Sequence, residues 1–325
     1  MESTIYDGAT MASTPSSLVL GVATWLAPEH FEPFARSLRA TGYRGRLGMI
    51  LGHYDPATAR GFDGLADFTI TVDDSYADVN PTLARALRAV RTVRGVRRTY
   101  SRAFRLASRT GESRALARWS ALEFELEGLQ SLRFGHYYDV VQREGAGADQ
   151  VLLSDMRDVL FQADPFETPV EGLEVFLEEP HMTIADEWFT HRWMLSLYGQ
   201  EEVSELAHEV ASCSGTVVGD RASMLRYLRE MSQAIVWRRR PLGSHDQAVH
   251  NHLLRTGRLD PVEIVANGAG RVLTMAEMAD IRRDADGRVL NADGSLPAVL
   301  HQYDRHPTLA GELVERLAGP RTKTR

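Results

Sequence analysis

Short apolar runs alternate with amphipathic segments along much of the chain. Residues 17–24 form an apolar run, and residues 28–40 then place Phe31, Phe34 and Leu38 at helical spacing. Further runs rich in apolar and β-branched residues predict strands at 45–52, 67–72, 173–178 and 214–218. Strands separated by helical segments of this length indicate parallel βαβ units.

Longer stretches without strand-like alternation predict helices from about residue 81, over 116–143 and over 221–238. The chain shows no internal repeat and no Pro- or Gly-rich linker. We therefore expect a single α/β domain over 17–318, with a disordered N-terminal tail at 1–16 and a C-terminal tail at 319–325.

An apolar run at 151–153 ends in two carboxylates, Asp155 and Asp158, and the chain then turns apolar again. Open α/β sheets bind ligands at the carboxyl ends of their strands. Carboxylates held there suit a hard divalent cation. The alternative is a strand followed by a helical turn that Asp155 or Asp158 caps, and the spacing alone does not decide between the two.

Composition excludes several classes of protein. The net charge of −7 argues against a general nucleic-acid binder, and the single Cys213 excludes an internal disulfide or a cysteine-built zinc site. No run approaches the roughly 20 apolar residues of a membrane span. The N-terminus lacks a secretory pattern, so we expect a cytoplasmic location.

The only lysine is Lys323, near the C-terminus. A lysine within the fold is needed by phosphate-loop proteins, by kinases and by enzymes that use Schiff-base or pyridoxal-phosphate chemistry. The sequence therefore argues against these classes of protein. A phosphohydrolase of the haloacid-dehalogenase type is disfavoured too, because it needs a catalytic lysine and an Asp-x-Asp motif near the N-terminal strand.

Arginines crowd the segment 81–118, where five recur at every third residue from Arg85 to Arg97. A solvated helix or a partly mobile insertion is one interpretation. A basic rim that meets donor phosphates, an acidic acceptor or a membrane surface is the other.

Residues 154–166, which include Asp155, Asp158 and an Asp-Pro, resemble the acidic metal motif of nucleotide-sugar-dependent glycosyltransferases of the GT-A fold. Four further segments resemble this family and follow in its order: 133–138, 212–219, 244–251 and 301–305. The usual motif is Asp-x-Asp, whereas here two residues separate the aspartates. The resemblance implies a Rossmann-like α/β domain with a mixed, mostly parallel sheet flanked by helices.

The resemblance also implies a site for a nucleoside-diphosphate sugar and a divalent cation. It places Asp155, Asp158 and His301 on Mn²⁺ or Mg²⁺, and the histidine favours Mn²⁺. For donor binding, the resemblance and the arginine chemistry suggest four residues: Arg133, Arg157, Gly215 and Arg305. Surface ion pairs are the alternative for Arg133 and Arg305, and a satisfied buried histidine is the alternative for His301.

Two residues are candidates for the catalytic step. Asp246 could bind the hydroxyls of the donor sugar or act as a general base on the acceptor, and its alternative is a cap on the helix from Gln247. Glu179, with Glu178 beside it, is a second candidate base, and its alternative is a solvated strand end.

Asp186 and Trp188 could line an acceptor pocket, because aromatic faces stack on sugar rings. Their alternative is an ordinary helix start and core. The sequence thus predicts an enzyme of the hexosyltransferase class that moves a sugar to a hydroxyl acceptor, a saccharide or a small natural product, without a nucleic-acid partner. A non-catalytic nucleotide- or sugar-binding relative of the same fold is the alternative.

Overall fold

The apolar run Ser17–Thr24 forms the middle of a sheet. The computed structural model describes residues 16–52, 54–72, 129–236 and 245–319. The predicted tail up to residue 15, the arginine-rich segment 81–118 and residues 320–325 lie outside these ranges.

Seven strands of the described chain form the central sheet. From edge to edge they are β3 (Phe68–Thr71), β2 (Arg46–Gly52), β1 (Ser17–Thr24), β4 (Gln150–Ser154), β7 (Ser212–Asp220), β6 (Leu173–Leu177) and β8 (Glu263–Val265). The β1–β2, β2–β3, β1–β4 and β6–β8 pairs are parallel, whereas β7 is antiparallel to both neighbours. The expected mixed, mostly parallel sheet is confirmed.

A second, three-stranded sheet lies beside the first. It consists of β5 (Val159–Phe161), β10 (Val299–His301) and β9 (Val272–Thr274), in that order. Strand β5 begins directly after Asp158, so the helical turn that Asp155 or Asp158 would have capped does not form. β10 runs antiparallel to β5 and pairs His301 with Val159.

Eight α-helices of the described chain surround these sheets. They are α1 (Glu32–Ala40), α2 (Pro56–Ala59), α3 (Leu129–Arg143), α4 (Trp188–Tyr198), α5 (Gln200–Leu206), α6 (Arg221–Val236), α7 (Asp246–Arg255) and α8 (Pro307–Ala318). The helix predicted over 28–40 is divided into a 3₁₀ turn, Pro28–His30, and α1.

The two faces of the sheet are covered by different helices. Alternate side chains of a strand point to opposite faces, and Leu18 accordingly joins one core while Val19 joins the other. The first core takes side chains from α3, α6 and α7, and the second takes Phe34 and Leu38 from α1. Because both faces are buried, the central strands read as nearly continuous apolar runs.

Candidate active site

The candidate site lies at the carboxyl ends of the parallel strands in the middle of the central sheet. β1 and β4 are parallel neighbours, so their carboxyl ends, at Thr24 and Ser154, lie at the same edge. Ser154 pairs with Thr216, which brings the first half of β7 to this edge as well. A cavity of about 550 Å³ opens here. Its wall contains residues from all three strand ends, as expected for ligand sites of open α/β sheets.

The structure brings the three predicted metal ligands together. One ligand atom from each of Asp155, Asp158 and His301 can be chosen so that all lie within 4.8 Å of one another. His301 Nε2 lies 3.9 Å from Asp155 Oδ2. Two oxygens and one imidazole nitrogen are a donor set that suits Mn²⁺ or Mg²⁺ and favours Mn²⁺.

His301 itself fits a role as a metal ligand. Its side chain is fully buried, yet neither ring nitrogen has a hydrogen-bond partner. Buried polar atoms are seldom left unpaired, so the imidazole nitrogens are available to bind a ligand such as a metal ion. Burial alone would lower the pKa of His301, but the neighbouring carboxylates of Asp155 and Asp158 raise it.

Gly215 leaves room between the aspartate and the histidine. A Cβ at this position would lie 2.5 Å from Asp155 Oδ2 and 2.9 Å from Nε2 of His301. Both separations are too short for real atoms, so any other residue would displace the carboxylate or the imidazole. Gly215 therefore permits the three-residue arrangement, and it also lines the cavity.

Arg133 connects two of the three predicted functional aspartates, Asp155 and Asp246. Its side chain is nearly buried; Nη1 donates to Asp155, and Nη2 donates to Asp246 Oδ2 at 2.8 Å. Burial opposes ionisation of Asp155, but the Arg133 charge lowers the pKa of Asp155 well below its usual range. Asp155 is thus ionised at neutral pH, as a metal ligand requires. Arg133 is a buried bridge rather than a surface ion pair.

Asp158 has a different environment. Its side chain is 8% exposed, and burial raises its pKa. Arg157 Nη2 donates to it at 3.1 Å, and Arg305 Nη2 lies 3.9 Å away. Asp304 ties both arginines together through contacts of 3.1 and 2.8 Å. Both arginines line the cavity with about half of each side chain exposed.

Asp246 lines the cavity at the first turn of α7. The helix cap is His245, and Asp246 Oδ2 instead accepts hydrogen bonds from Arg133 and from the Ser214 hydroxyl. The predicted role as a helix cap is wrong, because the helix begins one residue earlier than the sequence pattern indicates. Asp246 faces the same space as Asp155.

Glu179 is not among the described residues that line the cavity. It is half-buried, and its Oε1 accepts a hydrogen bond from Asn267 at 2.7 Å. The neighbouring Glu178 is the more buried of the two, and burial raises its pKa to about 7. The interpretation that Glu178 is a solvated residue at a strand end is therefore wrong.

Several cavity residues were not identified from the sequence. Trp25 and Gln302 line the cavity, and they are also the non-glycine residues of the described chain with positive φ, at 64° and 58°. Such backbone conformations are uncommon and concentrate at functional sites. A strand-end argument identifies Trp25, since it directly follows β1. Gln302 lies in the segment 301–305 that resembles the glycosyltransferases, but it was not assigned a role there.

Comparison with known proteins supports the fold. No protein-family profile matches the sequence, and no curated protein matches it. The structure is similar to that of galactosyltransferase LgtC in complex with donor and acceptor sugar analogues, with a TM-score of 0.51 and 14% identity over 95% of this chain and 97% of that one.

The core-mannan synthase A of Aspergillus fumigatus, in a form with Mn and GDP, matches with a TM-score of 0.39 and 12% identity over 75% of this chain and 71% of the synthase. In the described part of the chain, no helix has the length and apolarity to cross a bilayer. The likeness to LgtC and the mixed sheet together show that this chain has the GT-A fold.

Proposed function

We propose that this protein is a metal-dependent glycosyltransferase that moves a sugar from a nucleoside-diphosphate donor to a hydroxyl acceptor. The observation that carries the proposal is the cluster of Asp155, Asp158 and His301 beside a cavity at the carboxyl edge of the sheet. LgtC, whose fold this chain shares, is a galactosyltransferase that was solved with donor and acceptor sugar analogues.

The chemistry of glycosyl transfer explains why these residue types are needed. The bond between sugar and diphosphate breaks as the sugar approaches an oxocarbenium-like state, and negative charge develops on the leaving group. A divalent cation held by Asp155, Asp158 and His301 would neutralise that charge. Arg157 and Arg305 project into the same cavity, where guanidinium groups can each bind phosphate oxygens through two hydrogen bonds.

The remaining cavity residues have proposed roles around the donor. Gly215 allows close approach of ligand to strand β7, and Arg133 holds the carboxylates of Asp155 and Asp246 in place. We propose that Asp246 contacts the donor sugar through its hydroxyls. Its alternative role is the general base for the acceptor, and Glu179 stays a second candidate for that base.

The stereochemistry of the product distinguishes these roles. A general base that activates the acceptor for direct displacement gives a product of inverted configuration at the sugar carbon. A product of retained configuration would exclude direct displacement with Asp246 or Glu179 as the base. Proton NMR of the product formed in the first minutes of the reaction measures the configuration.

The central test is calorimetry with nucleoside diphosphates, with and without Mn²⁺. We expect binding that depends on Mn²⁺, and Asp155→Ala and Asp155→Asn should each weaken it at least about 100-fold, since a charged ligand is lost. Asp155→Asn keeps the shape of the side chain and guards against a folding defect. Asp286→Ala is the control, because the Asp286 side chain is 79% exposed. Parental donor turnover by Asp155→Asn would contradict the site assignment.

Two observations favour the non-catalytic alternative. Asp158 is engaged by Arg157, and the two aspartates are one residue further apart than in the usual Asp-x-Asp motif. A binding protein would bind a nucleoside diphosphate yet release no sugar from any donor. A panel of nucleotide sugars, assayed for hydrolysis and for transfer, separates the two functions. The cytoplasmic location and the absence of a nucleic-acid partner stay predictions.

A further inference from the structure

Three aromatic side chains of α4 form a continuous surface, which we call the aromatic ridge: Trp188, Phe189 and Trp193. The Trp188 and Phe189 rings lie 4.8 Å apart and the Phe189 and Trp193 rings 5.4 Å apart, measured between centroids. Trp188 is 58% exposed and Phe189 is 54% exposed. The alternative that Trp188 belongs to a core is therefore wrong.

The ridge leads into the candidate active site. Trp193 lines the cavity, and its ring centroid lies 5.6 Å from that of His245, the residue before Asp246. A hydrogen bond of 2.9 Å from Gln247 Nε2 to the Thr190 hydroxyl ties α4 to the start of α7. The exposed rings are thus joined to the residues that face the reacting sugar.

The start of α4, which carries the two exposed rings of the ridge, is capped. The Glu187 carboxylate caps α4 by accepting hydrogen bonds from the backbone N–H groups of Phe189 and Thr190. The first turn of the helix is thereby held in place, and the packing of α4 leaves Trp188 and Phe189 exposed on it. Large aromatic surfaces left in water are unfavourable and commonly mark a binding surface.

The chemistry around the ridge favours a sugar as its occupant. Aromatic faces pack well against the apolar C–H faces of sugar rings, and the Arg192 guanidinium over the Trp188 ring adds hydrogen-bond donors. Acidic residues flank the ridge in the chain: Asp186, Glu187, Glu201 and Glu202. An anionic lipid surface would be repelled by these carboxylates, whereas a neutral saccharide would not.

We propose that the aromatic ridge binds a saccharide acceptor of more than one sugar ring, with the reacting hydroxyl in the cavity and the outer rings on Phe189 and Trp188. This inference rests on the proposed function, because it names the acceptor of the same site. Three neighbouring rings offer more than one stacking position, so a longer saccharide binds more tightly than a monosaccharide.

The test is binding to an immobilised panel of mono- to tetrasaccharides, in the presence of Mn²⁺ and a nucleoside diphosphate. We expect Trp188→Ala to weaken binding of the longer saccharides about tenfold and to leave monosaccharides unaffected, since it removes an outer stacking position. Trp188→Tyr, which keeps an aromatic face, should restore most of the binding. Ile264→Ala is the matched control, because Ile264 is also an exposed apolar residue, at 41%, on strand β8.

Failure of this inference and failure of the proposed function are distinguishable. If the parent protein binds no nucleoside diphosphate, the proposed function fails. If it binds nucleotide with Mn²⁺ but no saccharide of the panel, or if Trp188→Ala and Ile264→Ala bind longer saccharides equally well, the ridge is not an acceptor site. Sedimentation with phosphatidylglycerol vesicles that Trp188→Ala abolishes, with saccharide binding unchanged, would assign the ridge to a membrane surface instead.

Discussion

Single residues decide whether the candidate metal site can exist. Gly215 is the clearest case, since a side chain there would occupy the space between the Asp155 carboxylate and the His301 imidazole. His301 illustrates a second constraint, because a fully buried ring without a hydrogen-bond partner is unfavourable unless something else satisfies it. Both residues therefore fit a bound cation better than a purely structural role.

The substitution Gly215→Ala tests this close approach. The added methyl group must push the carboxylate or the imidazole aside, so we expect Mn²⁺ affinity to fall at least about tenfold and stability to fall by about 1–3 kcal/mol. Electron paramagnetic resonance of free Mn²⁺ measures the first effect and urea unfolding the second.

Gly311→Ala is the control for Gly215→Ala. Gly311 lies exposed in α8, and a Cβ there meets no atom within 4 Å. Its replacement should leave Mn²⁺ binding unchanged and raise stability by up to about 1 kcal/mol, because alanine favours helix. Unchanged Mn²⁺ binding in Gly215→Ala would contradict the proposed geometry.

At the scale of elements, the turn between β4 and β5 supplies two of the three candidate metal ligands. It delivers Asp155 and Asp158 and places Arg157 between them. Arg157 bonds to both Asp158 and Asp304, so it holds a carboxylate that we assign to the metal. The phosphates of a bound nucleoside diphosphate would compete for Arg157, which would leave Asp158 free to hold a cation. Metal and nucleotide binding should therefore reinforce each other.

The substitution Arg157→Gln tests this coupling. Without the competing guanidinium, Mn²⁺ should bind about fivefold more tightly in the absence of nucleotide, on the scale of a partly exposed ion pair. The Mn²⁺-dependent affinity for nucleoside diphosphate should fall, since a phosphate partner is lost. Calorimetry of each ligand with and without the other gives both values.

Arg288→Gln serves as the comparison for Arg157→Gln. Arg288 is exposed to a similar degree, at 48%, and pairs with Asp284. Its loss changes the net charge of the protein by the same amount and should leave both affinities as in the parent. Weaker Mn²⁺ binding by Arg157→Gln in the absence of nucleotide would show that Arg157 does not compete with the metal.

At the scale of the whole molecule, a buried polar network joins two strands to two helices. The Ser212 hydroxyl donates to the Phe176 carbonyl, so it accepts from Nε2 of His250, and Nδ1 of His250 accepts from the Tyr227 hydroxyl. These bonds join β7, β6, α6 and α7. They require neutral His250, and burial accordingly lowers the pKa of His250 to about 3.

This depressed pKa makes stability dependent on pH. The unfolded chain binds a proton at His250 below about pH 6.5, while the folded protein does not bind it until about pH 3. The contribution to stability is complete above pH 6.5 and is lost as the pH falls, at about 1.4 kcal/mol per pH unit. His136, whose pKa burial lowers to about 4, contributes in the same direction.

Urea unfolding between pH 5 and pH 6.5 measures this dependence. His250→Gln should be less stable than the parent at pH 7. The slope of its free energy of unfolding against pH should be lower by about 1 kcal/mol per unit over this range, because the unfolded histidine is only half protonated at about pH 6.5. His181→Gln, at an exposed position, should keep the parental slope. An identical slope in His250→Gln would mean that His250 is protonated in the folded protein.

The sequence by itself determined the features that are local. The apolar runs specified β1, β4 and β6, because strands buried on both faces are mostly apolar. The exception is Glu174 inside β6, whose buried carboxylate pairs with Arg271 at 2.8 Å. The same reasoning placed Asp155 and Asp158 at the end of a strand. The strand predicted over 214–218 is shorter than the observed β7, Ser212–Asp220. Serine and cysteine at the start of β7 are not typical strand residues, so the pattern did not include them.

Only the tertiary structure decided which distant residues share the site. The resemblance proposed His301 as a ligand, but the pairing of β10 with β5 is what brings it to Asp155. The hydrogen bond from Arg133 holds Asp246 at the cavity. Glu179 is not among the described residues that line the cavity. Periodicity reports which face of an element is buried, whereas contacts between strands distant in sequence depend on register and packing. The exposure of the aromatic ridge has the same origin, since only the packing of α4 shows that Trp188 stays outside the core.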